Sequence, residues 1–333
     1  MSDGAECASG SGSTDGAECA GAKEKVAGIV EAAVQESGIF APEYDVKIEG
    51  AGEVKSVADF ERIYALAPKE LAQYLAAAGI PHRSGLNKNE LLKDFFDFAA
   101  EQKKLVRAVG ILDVFENGLG GAVVFESDNY RLRRFSVYVP KIFIDKYGLK
   151  RGHRLEVLAA SPRSEKSCPF AVKVCSVMGG KPENAKDITA FNELVPYYPT
   201  RRIIMECDAH SARTNVSMRA VDLISPVGLG QRALIVAPPR TGKTVLMQTM
   251  AKSIRANKPE ANLVVLLVDE RPEEVTDFKR AIDAEVVAST FDEDALSHVH
   301  AAEMVISKAR RMVECGEDVI ILLDSITRLA RAY

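Results

Sequence analysis

The sequence predicts a multidomain chain: a small helical N-terminal module, a five-stranded β-barrel, and an α/β domain carrying a phosphate-binding loop. Three observations predict it. Helix-spaced apolar residues fill 56–104, short β-type runs broken by turn residues fill 105–180, and buried-strand runs alternate with helical stretches over 221–333. The length of 333 residues agrees, because one hydrophobic core rarely organises so many.

In chain order, residues 1–55 come first as a low-complexity extension in which SDGAECA at 2–8 returns as TDGAECA at 14–20. Such a Gly, Ser and Ala segment buries too little to offset its ordering entropy, so disorder is expected, apart from a short helical face of Val26, Ile29, Val30, Ala33 and Val34. In the helical module, LAPKELAQYLAAAGI at 66–80 and KNELLKDFFDFAAEQ at 88–102 carry Leu71, Leu75, Leu91, Leu92, Phe95 and Phe98 at core spacing. The barrel strands are AVGILDVF at 108–115, GAVVF at 121–125, FSVYV at 135–139, RLEVLAA at 154–160 and FAVKVCSV at 170–177. Five such strands are what an oligonucleotide-binding (OB-type) barrel uses, although many small barrels share the count. A connector at 181–220 leads to strands at 233–236, 263–268, 286–288 and 319–323, with helices between them at 243–256, 272–282 and 295–315. That alternation is the pattern of a parallel sheet wrapped by helices.

Composition narrows the function. A net charge of -4 gives no global electrostatic case for nucleic acid, so any such surface must be local. No apolar run reaches the roughly 18 residues of a membrane span, and the first residues lack a secretory signal, so the cytoplasm is the expected location and no membrane partner is expected. The six cysteines form no paired zinc spacing, and Cys207 with His210 lacks two further ligands.

The chemistry concentrates in three places. VAPPRTGKT at 236–244 stands after a strand and before a helix, where backbone amides can curl around phosphates at the positive end of that helix. Gly242 permits close approach, Lys243 supplies a point charge, and the Thr244 hydroxyl can reach magnesium; Ala237 occupies the place where the general motif has its first glycine. Glu270, in DERPEE at 269–274, lies just past the strand at 263–268, where a carboxylate can orient or deprotonate an attacking water. Glu273 and Glu274 read instead as an ordinary solvated helix start. Asp324 ends the apolar run in DVIILLDSITRLARAY at 318–333, the position from which a carboxylate can hold magnesium beside the phosphate loop. In the barrel, YRLRRFSVYV at 130–139 mixes Arg133 and Arg134 with Phe135 and Tyr138, a combination that suits single-stranded RNA or DNA. An amphipathic strand with a charged outer face explains the same residues.

Four long strings carry a family resemblance: PVGLGQRALIVAPPRTGKT at 226–244, VVLLVDERPEEVTDFKR at 264–280, EVVASTFDE at 285–293, and the 318–333 run. In these the chain resembles the bacterial transcription termination factor Rho family, and the alanine opening the phosphate loop is itself a family feature. The resemblance implies a RecA-like P-loop ATPase domain behind an OB-fold, a ring-shaped homohexamer, and an ATP- and Mg2+-dependent helicase that binds nascent single-stranded RNA and releases it from RNA polymerase. It implies nucleotide contacts from Arg240, Thr241, Gly242, Lys243, Thr244 and Val245, from the turn Gly228, Leu229, Gly230, Gln231, Arg232 and Ala233, and from Arg271. It also assigns water activation to Glu270 and the magnesium aspartate to Asp324.

Two departures qualify the resemblance. NGLGGAVVF at 117–125 stands where the family has GFGFLR, so Leu119 and Gly121 replace two base-stacking aromatics. The sequence also stops at Tyr333, nine positions past Asp324, and so reads as a fragment with an incomplete ATPase domain, expected to be inactive alone. Two other readings stay open: another hexameric RecA-like ATPase, such as a rotary ATP synthase subunit or a DNA recombinase, and an RNA-binding scaffold without turnover.

Overall fold

The computed structural model describes residues 57–82, 85, 87–102, 104–116, 118–162, 168–207, 212–238 and 241–333. The expected helical face at 26–34, and Arg240 and His210, lie outside the described residues.

The helical module comprises α1 (Phe60–Ala65), α2 (Pro68–Ala77) and α3 (Lys88–Glu101). Asn87 opens α3 with a reciprocal cap: its side chain accepts from the Glu90 amide at 3.0 Å, and the Glu90 carboxylate accepts from the Asn87 amide at 2.9 Å. Leu71, Leu75, Leu91, Leu92 and Phe95 are buried as their spacing requires, while Phe98 is half-buried. The module does not close a core of its own. Phe60 packs edge-on against Phe125 of the barrel, and Phe96 stacks on Phe135 at 5.6 Å with ring planes 3° apart.

The barrel is built from β2 (Val106–Val114), β3 (Gly120–Val124), β4 (Val137–Pro140), β5 (Arg154–Ala160) and β6 (Phe170–Val177). Pairing runs β2-β3-β4-β6-β5 and closes through β2 against β5, with all pairs antiparallel except the single β4–β6 bridge. A short strand β1 (Val57–Asp59) joins parallel to the start of β2, and α4 (Lys141–Tyr147) plugs the stretch between β4 and β5. The strand expected at 135–139 is shorter than its apolar run. Residues 130–136 form turns instead, with Asn129 and Tyr130 at positive φ of 53° and 60°, a backbone that cannot continue a ladder.

After a short antiparallel pair, β7 (Arg202–Ile203) with β8 (Val227–Gly228), and the intervening α5 (Ala212–Ile224), the chain enters the α/β unit. Here α6 (Lys243–Asn257), β9 (Asn262–Glu270), α7 (Pro272–Ala281), β10 (Glu285–Thr290), α8 (Ala295–Glu314), β11 (Val319–Asp324) and α9 (Ile326–Ala332) alternate. The sheet is wholly parallel in the order β10-β9-β11. The central strand β9 is apolar along its length because both faces are covered. Leu263, Val265 and Leu267 meet Met247, Met250 and Ile254 of α6 and Phe278 of α7. Val264, Leu266 and Val268 face Ala301, Met304 and Val305 of α8 together with Ile111, Val124 and Tyr130 of the barrel. The barrel therefore packs directly on one layer of the α/β unit.

One expected strand is absent. Residues 231–238 form no strand or helix, and Leu234 and Val236 are 72% and 84% exposed. A strand exists only by pairing, and among the described residues no strand lies alongside this segment; Pro238 also removes a donor at its end. A continuous apolar run such as ALIV at 233–236 is not sufficient for a strand without a neighbour to pair with.

Candidate nucleotide site and nucleic-acid face

The candidate nucleotide site forms where two strands end beside the start of a helix. Gly242 caps α6 with φ of 90°, a conformation that costs a residue with a Cβ, and leaves the first-turn amides facing outward. Lys243, the first residue of α6, reaches across to form an ion pair with Asp324 at the end of β11. Asp324 is 2% exposed, so its carboxylate is taken from water and answered by that ammonium. Thr244 is half-buried on the same turn, Val245 points outward, and the Thr241 hydroxyl donates to the Pro238 carbonyl at 2.7 Å.

Glu270 ends β9, one strand over from Asp324, and is buried. Burial raises its carboxyl above the ordinary glutamate range; Glu274 and Asp324 push the same way, and the Arg328 guanidinium opposes them. Arg328, on α9, lies 3.3 Å from the Glu270 carboxylate and also donates to the Asp269 carbonyl. Sequence reasoning missed Arg328. Its signal was there, an arginine one helical turn past the Asp324 strand, but nothing in a linear sequence points it back at Glu270.

The other expected nucleotide contacts are more scattered. Arg271 caps the N-terminus of α7 and is exposed. The turn at 228–233 is closed by its own bonds: the Gln231 side chain accepts from the Gly228 amide at 2.8 Å, and the Leu229 amide donates to the Arg201 carbonyl at 2.8 Å. Gly228 has no room for a side chain, since a Cβ would sit 2.9 Å from Pro199. Gly230, Arg232 and Ala233 are exposed, and Leu229 is half-buried.

On the barrel, cations and rings part company. Arg133 and Arg134 are exposed, but Phe135 is 1% exposed and stacked on Phe96, while Tyr138 is 5% exposed and donates to the Leu119 carbonyl at 2.7 Å. Burial pushes the Tyr138 hydroxyl up to about 12. The expectation that these two rings stack bases is corrected: both serve the core, Phe135 from the turn that precedes β4 and Tyr138 from β4 itself, whose residues 137–139 are all buried. Gly121 offers no replacement, since a Cβ there would meet the Asp113 carbonyl at 2.5 Å. Leu119 remains partly exposed at the end of the same strand.

Two families match adjoining parts of the chain. Residues 108–183 match the Rho termination factor RNA-binding domain, and residues 217–333 match the nucleotide-binding domain of the ATP synthase alpha/beta family. Over 269 residues the chain is 42% identical to transcription termination factor Rho of Cereibacter sphaeroides, covering 81% of this chain and 63% of that protein. The Rho of Chromobacterium violaceum is 43% identical over 264 residues (79% and 63%), and that of Bacillus subtilis 41% over 266 residues (80% and 61%). Over about four fifths of its length the chain is thus similar to transcription termination factor Rho. That similarity runs through both halves, whereas the α/β match taken alone would fit a rotary ATP synthase subunit equally well. The chain spans less than two thirds of the length of these Rho relatives.

Proposed function

We propose that the chain is the RNA-binding and nucleotide-binding part of an RNA-dependent ATPase that moves along nascent single-stranded RNA and terminates transcription. The observation that carries this reading is the convergence of Lys243, Asp324 and Glu270 at the carboxyl edge of a parallel sheet whose other layer is the RNA-binding barrel. In the reaction, Lys243 turns from Asp324 to the β- and γ-phosphates of ATP, and the first-turn amides of α6 hold the phosphate oxygens. Water attacks the γ-phosphorus, the bond to the β-phosphate oxygen breaks, ADP departs, and Glu270 takes the proton of the attacking water. Arg328 holds the Glu270 carboxylate in place for that transfer.

Magnesium fits the residues present. The buried Asp324 carboxylate already sits against one cation, and the Thr244 hydroxyl adds a second hard oxygen on the adjacent turn. Bound there, magnesium would neutralise charge on the phosphates. A homohexamer, RNA polymerase as the machine acted on, and a cytoplasmic location complete the reading; among the described residues no helix is long and apolar enough to cross a membrane.

The test is ATP hydrolysis by the full-length protein that carries this chain, with and without single-stranded RNA, beside RNA binding measured separately. Turnover that rises with RNA supports the proposal. RNA binding without turnover would replace it with a scaffold, and turnover indifferent to RNA would replace it with a different RecA-like ATPase.

A further inference from the structure

The contact between barrel and α/β unit is concentrated in one turn. Between β3 and β4, residues Glu126–Asp128 form a single 3-10 turn, followed by Asn129 and Tyr130, both in the left-handed region that non-glycine residues rarely adopt. Two such residues in succession persist only where their surroundings compensate. Four consecutive side chains supply the compensation. Asp128 accepts from the Tyr64 hydroxyl of the helical module at 2.6 Å, and the Asn129 carbonyl oxygen accepts from the Ala288 amide of β10 at 3.1 Å. The fully buried Tyr130 donates to Glu285 at the start of β10 and accepts from Lys308 of α8 at 2.9 Å, while Lys308 also pairs with Glu285. Arg131 pairs with Glu293, whose carboxylate caps the Thr290 amide at the far end of β10.

Strand β10 is thus gripped at its start, middle and end by barrel residues 129–131. Its ladder partner is β9, in which Thr290 of β10 stands opposite Glu270 itself. On the other side of the turn, Arg133 and Arg134 follow within a few residues and are exposed. A second contact keeps the barrel from rotating about this grip: Asp113 of β2 lies 2.8 Å from His300 and 2.9 Å from Arg151, which pairs with Glu303 of α8 at 2.7 Å. Beside it Gly152 lies so close to α8 that a Cβ would fall 2.3 Å from the Ser307 carbonyl carbon.

We infer that Asn129 and Tyr130 are positioning residues which transmit RNA engagement at the barrel to Glu270 through β10, so that RNA stimulation of hydrolysis depends on this turn while RNA binding does not. The inference rests on the RNA-dependent ATPase reading above. Burial and the neighbouring Glu285 hold the Tyr130 hydroxyl protonated, which keeps it a donor to Glu285 at any working pH.

The test titrates the full-length protein that carries this chain with single-stranded RNA and reads hydrolysis and RNA affinity together, for wild type, Tyr130→Phe, Asn129→Ala and, from the opposite side of the seam, Lys308→Met. The expected result is a split. RNA affinity and the half-stimulating RNA concentration stay within about twofold, the unstimulated rate is unchanged, and the maximal stimulation falls at least fivefold in each variant. Tyr130→Phe keeps the ring in its core, so a folded variant is available even where Asn129→Ala proves unstable. Full stimulation in Tyr130→Phe and Lys308→Met would overturn the inference, as would a loss of stimulation that tracks a loss of RNA affinity. Wild type that hydrolyses ATP without any response to RNA would instead overturn the functional reading on which it rests.

Discussion

Replacing Lys243 with alanine separates what the ion pair does for the fold from what the lysine does for chemistry. The side chain of Asp324 is 2% exposed and that of Lys243 31% exposed, so the substitution leaves a buried carboxylate without its cation. Breaking a fully buried pair from one side costs about 3–5 kcal/mol, whereas a pair in open solvent contributes about 0–1 kcal/mol. With one partner buried and the other a third open to water, the cost should be about 2 kcal/mol. Removing a cation from the first turn of α6 and inserting alanine returns roughly 0.5 kcal/mol, since the positive end of the helix dipole disfavours lysine there. The net loss of about 1.5 kcal/mol corresponds to a urea midpoint lowered by about 0.5–1 M at ordinary slopes. Adding Asp324→Asn removes the stranded charge and should recover at least half of that loss, although turnover stays abolished in both variants and RNA binding is retained. Urea unfolding followed by circular dichroism, with hydrolysis measured on the same preparations, checks both parts. A Lys243→Ala variant as stable as wild type, or one that Asp324→Asn fails to rescue, would refute the account of the pair.

Glu270→Gln should lower turnover by roughly a hundredfold or more while nucleotide affinity changes little, because the amide keeps the shape but cannot accept a proton. The same variant should be more stable than wild type at pH 7. Burial raises the Glu270 carboxyl, so the folded chain holds that proton to higher pH than the unfolded one, and stability falls as pH rises through the window. Thermal melts at pH 7 and near pH 4 should show the gain shrinking at the lower pH; a constant gain would exclude this origin. On the barrel, Phe135→Ala should destabilise by about 3–5 kcal/mol through the cavity it leaves against Phe96. Arg133→Ala with Arg134→Ala should cost at most about 1 kcal/mol of stability, from the Arg134 guanidinium over the Phe135 ring, and flatten the logarithmic salt dependence of RNA binding by about 1.4, two single-strand phosphate contacts. A salt slope that does not move would remove both arginines from the RNA face.

Much of the fold was legible because it depends on local pattern. Strands β5 and β6 fall where the sequence predicts them, and α6, α7 and α8 within a residue or so, since Gly242, Pro272 and the capping Asp294 mark the helix starts and β9, covered on both faces, reads as an apolar run over 263–268. At the site, Lys243, Glu270 and Asp324 could be singled out because strand ends and helix starts in an α/β unit are marked by composition. What could not be read depends on partners far along the chain. The run at 233–236 looks like a strand, but its neighbour would have to be supplied from elsewhere. Phe135 and Tyr138 are three positions apart, which on a strand would put them on opposite faces, and nothing local shows that 135–139 are buried on every side. Arg328 and Tyr130 act across 58 and 155 positions, to Glu270 and Glu285, and no local pattern encodes such pairs.

Those long separations bear on how the chain is made. Residues 57–177 can close the barrel as soon as they leave the ribosome, since its strands and the helical module pair among themselves. The patch of Ile111, Val124 and Tyr130 has no covering until β9, β10 and then α8 have been synthesised, more than a hundred residues later. At a synthesis rate of roughly 5–20 residues per second, that apolar face stands open for about seven to twenty-seven seconds on every nascent chain. It is a window in which a chaperone has a defined surface to hold, and in which two neighbouring nascent barrels can meet face to face.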